Sequence, residues 1–164
     1  APAEQARVRR VHDRVDGLLG DVAAYRLDPH GPRVGSRIYT TRLQTRWPDF
    51  DGLGHLNHAA YHVFLDEARD DVLRLTVGDF STWPNVVAHA SIDYRAEVTV
   101  GTREVVVETE IASVGRSSVR FLQRVVLEDG TVAAEAETVL VAWDRAGRTS
   151  RPVTDAERAA LTGS

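Results

Sequence analysis

Residues 58 to about 77 constrain the fold of this chain more than any other stretch. Ala60, Phe64, Ala68, Val72 and Leu75 draw one apolar stripe at helical spacing, and Tyr61 and Leu65 broaden it over more than half the circumference. A helix of that kind has to be covered on most sides. The material to cover it lies downstream, in β-rich runs at 86–100, 102–114, 117–128 and 131–144. Within them Val105, Val107, Thr109 and Ile111 share one face, as do Val119, Phe121, Val125 and Leu127, with Glu108, Glu110, Arg120 and Arg124 on the opposite faces. Gly101, Gly115 and the pair Asp129-Gly130 stand at the joints. The last is a two-residue hairpin signal, so the runs predict an antiparallel meander.

The rest of the chain completes the pattern. Residues 37–47 read as a strand that stops before Pro48, and a loop with Gly52 and Gly54 follows. Asn57 is placed to cap the long helix, its side chain taking one amide of the first turn while the others stay available. Thr154-Asp155-Ala156-Glu157 spells a capping box and opens a short C-terminal helix. Upstream, Val8, Val11, Val15, Leu18 and Val22 mark an amphipathic helix, and Pro29, Gly31, Pro32 and Gly35 read as a linker. The expected organisation is therefore an N-terminal helix and linker over 1–35 and a main domain over 36–164. A long helix under a single antiparallel sheet is an α+β arrangement, and the sheet must curl to wrap it.

Composition removes several kinds of chemistry. Among the 164 residues there is no cysteine, hence no thiolate ligand or cysteine nucleophile. All 20 basic residues are arginine, which excludes Schiff-base chemistry and a phosphate-binding lysine. A formal charge of −4 argues against nucleic acid as a partner. The apolar runs, such as 139–143, are far short of the ~20 residues that span a bilayer, so no membrane insertion is expected. Residues near the N-terminus lack the apolar core of a secretory signal, and the expected location is the cytoplasm.

The densest polar cluster lies between the first strand and the long helix, where Asp49, Asp51, His55, Asn57, His58, His62, Asp66, Glu67 and Arg69 fall within residues 46–69. A loop feeding a helix N-terminus can present free amides to an oxygen that gains negative charge. Asp51, followed by the flexible Gly52, could fold back over that terminus as a base or a nucleophile. Composition alone favours turn-forming or capping roles for Asp49 and Asp51. His55, His58 and His62 could be taken for a metal cluster, but the Glu of an H-E-x-x-H site is missing, and no metal is expected.

This segment carries a resemblance. Asp49, Asp51, Gly54, His55 and Asn57, followed by Tyr61, Glu67, Ala68 and Arg69, resemble the D-x-D-x-x-G-H-x-N...Y...E-A-R signature of hot-dog acyl-CoA thioesterases, the relatives of 4-hydroxybenzoyl-CoA thioesterase. Ser91 to Tyr94, Val114 to Ser118 and Thr138 to Val141 are more loosely similar, so the likeness spans roughly residues 37–161. The resemblance implies a hot-dog fold, hydrolysis of an acyl-CoA thioester, and a homodimer or dimer of dimers with active sites between subunits. It implies no cofactor, coenzyme A being part of the substrate. Asp51 would be the catalytic carboxylate, and amides near Asn57, His58 and Ala59 would receive the thioester oxygen, with His55 and Asn57 holding the loop. Glu67 is the alternative acid, as in relatives that carry the carboxylate within the helix. Arg116, Ser117 and Ser118 could meet the CoA phosphates. Two other readings stay open: a hot-dog enoyl-CoA hydratase pairing Asp51 with His55, and an acyl-CoA-binding protein without turnover.

Overall fold

The computed structural model describes residues 37–163. The expected N-terminal helix and linker over 1–35 lie outside the described residues. The elements in order are β1 (Ile38–Gln44), a 3-10 turn (Trp47–Asp49), α1 (His58–Thr76), β2 (Asn85–Tyr94), β3 (Glu104–Val114), β4 (Ser118–Val126), β5 (Val132–Asp144), β6 (Thr149–Ser150) and α2 (Asp155–Thr162). The strands form one antiparallel sheet in the order β1-β3-β4-β5-β2, with β6 pairing the end of β5. This is the α+β hot-dog architecture: one long helix lying against a single antiparallel sheet.

The expected alternation is observed. Val105, Val107, Thr109 and Ile111 of β3 and Val119, Phe121, Gln123 and Val125 of β4 are buried, and their apolar members pack with Phe64, Leu65, Ala68, Val72 and Leu73 of α1. The expected four-run meander is corrected in one respect. Only β3, β4 and β5 follow one another as neighbours, because β2 pairs β5 at the far edge while β1 takes the place beside β3. The run expected over 86–100 ends as a strand at Tyr94. There the amides of Arg95 and Ala96 both turn to the Ala133 carbonyl, and residues 98–100 leave to pair with the loop before α1. The turn expected at Gly101 is present, closed by the Thr102 amide on the Thr99 carbonyl at 3.0 Å, but it follows this excursion and so does not pair β2 with β3.

Burial along α1 also departs from the expected stripe. The buried positions come in pairs, Ala60/Tyr61, Phe64/Leu65, Ala68/Arg69 and Val72/Leu73. A repeat of four in a helix of 3.6 residues per turn carries the buried face around the axis by about 40° per repeat. The face therefore winds along the helix as the twisted sheet does. Leu75, assigned to the stripe by simple spacing, is left on the open side and is 74% exposed.

The pair that breaks the apolar rule is Ala68/Arg69. The Arg69 guanidinium is buried and donates through Nη1 to Gln123 Oε1 at 2.8 Å and to Thr138 Oγ1 at 3.2 Å, and through Nη2 to Asp66 Oδ1 at 2.7 Å. Gln123 Nε2 in turn donates to the Leu65 carbonyl at 2.9 Å and to Thr109 Oγ1 at 3.2 Å. Burial lowers the Arg69 pKa, against which Asp66 works. The network stitches the middle of α1 to β3, β4 and β5. At the far end, Val153 and Leu161 of the α2 segment enter the same core cluster as Val72, Leu73 and Phe121.

Candidate active site

The loop between β1 and α1 folds as a small hairpin. Phe50 bridges Leu56, with the Asp51 amide donating to the His55 carbonyl at 2.8 Å and the Asn57 amide to the Asp49 carbonyl at 2.8 Å. Phe50 and Leu56 pack into the core. Alternation then gives Asp51 and His55 to the other side of the pleat. Gly54 closes the tip with φ +81, a conformation that favours glycine. A second ladder steadies the hairpin from outside: Leu56 N bonds Val98 O at 2.7 Å, Val100 N bonds Gly54 O at 2.8 Å, and His55 bridges Thr99.

The two motif carboxylates are used differently. Asp49 is buried and bound by Arg46, through the backbone amide at 2.6 Å and through Nη2 at 3.1 Å. Burial pushes its pKa up, but the Arg46 hydrogen bonds outweigh that and hold it below the usual range. Asp51 is exposed. Its Oδ1 accepts the amides of Leu53 at 2.8 Å and His55 at 3.1 Å, so it makes the turn that its residue type favours. These amide bonds, His55 first and then Leu53, lower its pKa, so the group is a carboxylate at neutral pH.

At the start of α1 the Asn57 side chain accepts the Ala59 amide at 2.9 Å, and its carbonyl accepts the Ala60 amide at 2.9 Å. The His58 amide, first in the helix, has no partner among the described residues. The cap thus satisfies part of the first turn and leaves one donor. Because Asp51 lies opposite His55, it is the diagonal neighbour of Asn57, a Cα separation of about 7–8 Å in an antiparallel pair. Carboxylate, cap and open amide therefore belong to one hairpin-to-helix unit.

The other candidates are dispersed. His58, Ala59 and His62 lie on the exposed side of α1, and no three His, Asp or Glu among the described residues form a group that could hold a metal ion. The His55 ring faces Glu97, Nε2 to Oε2 at 3.8 Å. Asp66 is taken by Arg69, whereas Glu67, the alternative acid, is exposed. Arg116 and Ser117 lie in the β3–β4 turn, and Ser118 opens β4. The sequence does not single out Glu97 or the 98–100 ladder, in which Val98 is 1% exposed.

Comparison with known proteins decides the family. A family model described as the thioesterase-like superfamily matches residues 45–161. The chain belongs to that superfamily. It is thereby a thioester hydrolase, as the signature over residues 49–69 implies. A thioesterase from Thermus thermophilus, solved in complex with coenzyme A and Zn, is 30% identical, with 74% of this chain and 95% of that one covered at a TM-score of 0.68. A predicted thioesterase from Bacillus stearothermophilus is 25% identical over 77% of this chain and 96% of its own, at a TM-score of 0.72. DHNA-CoA thioesterase from Staphylococcus aureus, at 16% identity, shares the fold over 71% of this chain and 80% of its own with a TM-score of 0.65. No protein of curated function matches the chain. No helix among the described residues is long and apolar enough to cross a membrane.

Proposed function

We propose that the protein hydrolyses an acyl-CoA thioester to the free acid and CoA, with the Asp51 carboxylate as base or nucleophile and the His58 amide polarising the thioester carbonyl. The observation that supports the reading is the hairpin register, which sets the Asp51 backbone diagonally across from Asn57, next to the His58 amide that has no partner among the described residues. A well-placed donor to the developing oxyanion contributes about 3 kcal/mol in a dry site. The thiolate is a good leaving group and needs little acid assistance, so carboxylate and amide suffice without a cofactor. Asn57 acts by orienting the first turn and His55 by holding the loop.

Asp51 and His58 are both open to solvent in the single chain, whereas this chemistry requires bulk water to be kept out while the one reacting water is admitted. The reading therefore includes a second subunit as the missing wall, in a homodimer or dimer of dimers. Exposed Val86, Val87 and Tyr94 on the edge strand β2 and Val63 on α1 provide apolar surface for it. The Arg116, Ser117 and Ser118 turn is the proposed contact for the CoA phosphates, and the cytoplasm, where CoA esters are made and used, is the proposed location. The test is a panel of aliphatic and aryl acyl-CoAs followed by thiol release. Loss of enoyl absorbance without thiol release would instead make the protein a hydratase, and tight acyl-CoA binding with neither signal would make it a binding protein. Against the hydratase, the His55 imidazole is directed to Glu97.

A further inference from the structure

The turn that joins β3 to β4 is held more completely than a surface turn requires. Its five successive carbonyls are all engaged. The Arg158 guanidinium on α2 takes the first two, Nη1 donating to Val114 O at 2.6 Å and Nη2 to Gly115 O at 2.8 Å. The Val153 amide takes Arg116 O at 2.8 Å, the Ala142 amide takes Ser117 O at 2.9 Å, and the Gly115 amide takes Ser118 O at 2.8 Å. A Cβ on Gly115 would stand 2.8 Å from Ser118 Oγ, so the hydroxyl packs directly over the turn.

Arg158 is itself well placed to be rigid. The α2 helix starts at a capping box between Thr154 and Glu157, and Leu161, three residues beyond Arg158 and on the same face, is buried in the core. Charge points the same way. Glu157 is matched by Arg151 at 2.7 Å, and Asp155 is exposed at the first position of α2. Arg116 and Arg158 enter no ion pair among the described residues. Two guanidiniums without carboxylates, beside two serine hydroxyls on an immobilised backbone, suit a phosphate ester.

We propose that Arg158 is a positioning residue, which fixes the 114–118 turn so that Arg116, Ser117 and Ser118 meet the nucleotide phosphates of CoA without an ordering cost. This rests on the reading of that turn as the phosphate subsite. Holding a binding loop in its bound conformation raises affinity by removing that cost. The test is calorimetric titration of the whole protein with coenzyme A and with pantetheine, which lacks the nucleotide. Arg116→Gln and Arg158→Gln should each weaken CoA binding by about tenfold. Pantetheine affinity should stay within about twofold, and Arg158→Lys, which keeps the charge but offers one donor nitrogen in place of two, should recover part of the loss. A purely structural role would weaken both ligands together. Wild-type CoA affinity in Arg158→Gln, or equal losses on both ligands, overturns the positioning role. Wild-type CoA affinity in Arg116→Gln overturns the phosphate subsite itself. If Arg158→Gln melts early, the CoA-to-pantetheine ratio of Arg158→Lys decides alone.

Discussion

Two polar regions lie along the same helix and are built on opposite terms. In the middle of α1, Arg69 and Gln123 are buried and committed to fixed partners on the sheet. At its beginning, Asp51 and the His58 amide are exposed and keep capacity for a ligand. A buried polar group without a partner is costly, so interior groups become bound to structure. The groups proposed for chemistry stay at the surface, where a ligand can reach them.

Substitutions can break this contrast from either side. Asp51→Asn should lower kcat/KM for acyl-CoA by a factor of about 10² to 10⁴. Its melting temperature should fall only slightly, because the Asn side-chain oxygen can still accept the Leu53 and His55 amides while the charge that strengthens those bonds is lost. Turnover at the wild-type rate would remove Asp51 from the mechanism. Gln123→Leu should do the reverse, costing about 3 kcal/mol in denaturant unfolding by leaving Arg69 and the Thr109 hydroxyl short of partners. Asn57→Ala should cost about 1 kcal/mol through the lost cap.

Smaller effects sharpen the same division. The Asp51 amide bonds depress its pKa, and on the proposed mechanism only the carboxylate is competent, so activity should rise with pH through that lowered pKa. The acid limb of kcat/KM should therefore lie below the ordinary aspartate value of about 3.9. A limb at or above that value would mean that another group titrates. Glu67→Gln, at an exposed position, should change turnover by no more than about twofold, whereas a larger loss would move the acid into the helix.

Much of the fold was legible in particular residues. The alternation of Val105 to Ile111 and Val119 to Val125, the Asn57 cap and the Thr154 capping box all stand where spacing places them. Each is decided by neighbours within one element. The pairing of β2 with β5 and the exposure of Leu75 were not legible, since both depend on how distant segments twist around one another. In the loop, the motif pointed to Asp49 and Asp51 together. That the first is sealed by Arg46 and the second is open depends on the 3-10 turn and the hairpin, which no local pattern announced.

The hairpin before α1 has an evolutionary corollary. The Asp51 Oδ1 bonds reach amides two and four positions along the chain, and the hairpin ladder counts residues from Asp49 to Asn57. Leu53 at the tip is 81% exposed and can drift freely in identity, but one residue added or removed there would take the His55 amide out of reach and unsettle the cap. At the tip, beside Gly54, what selection has to preserve is length rather than side chain.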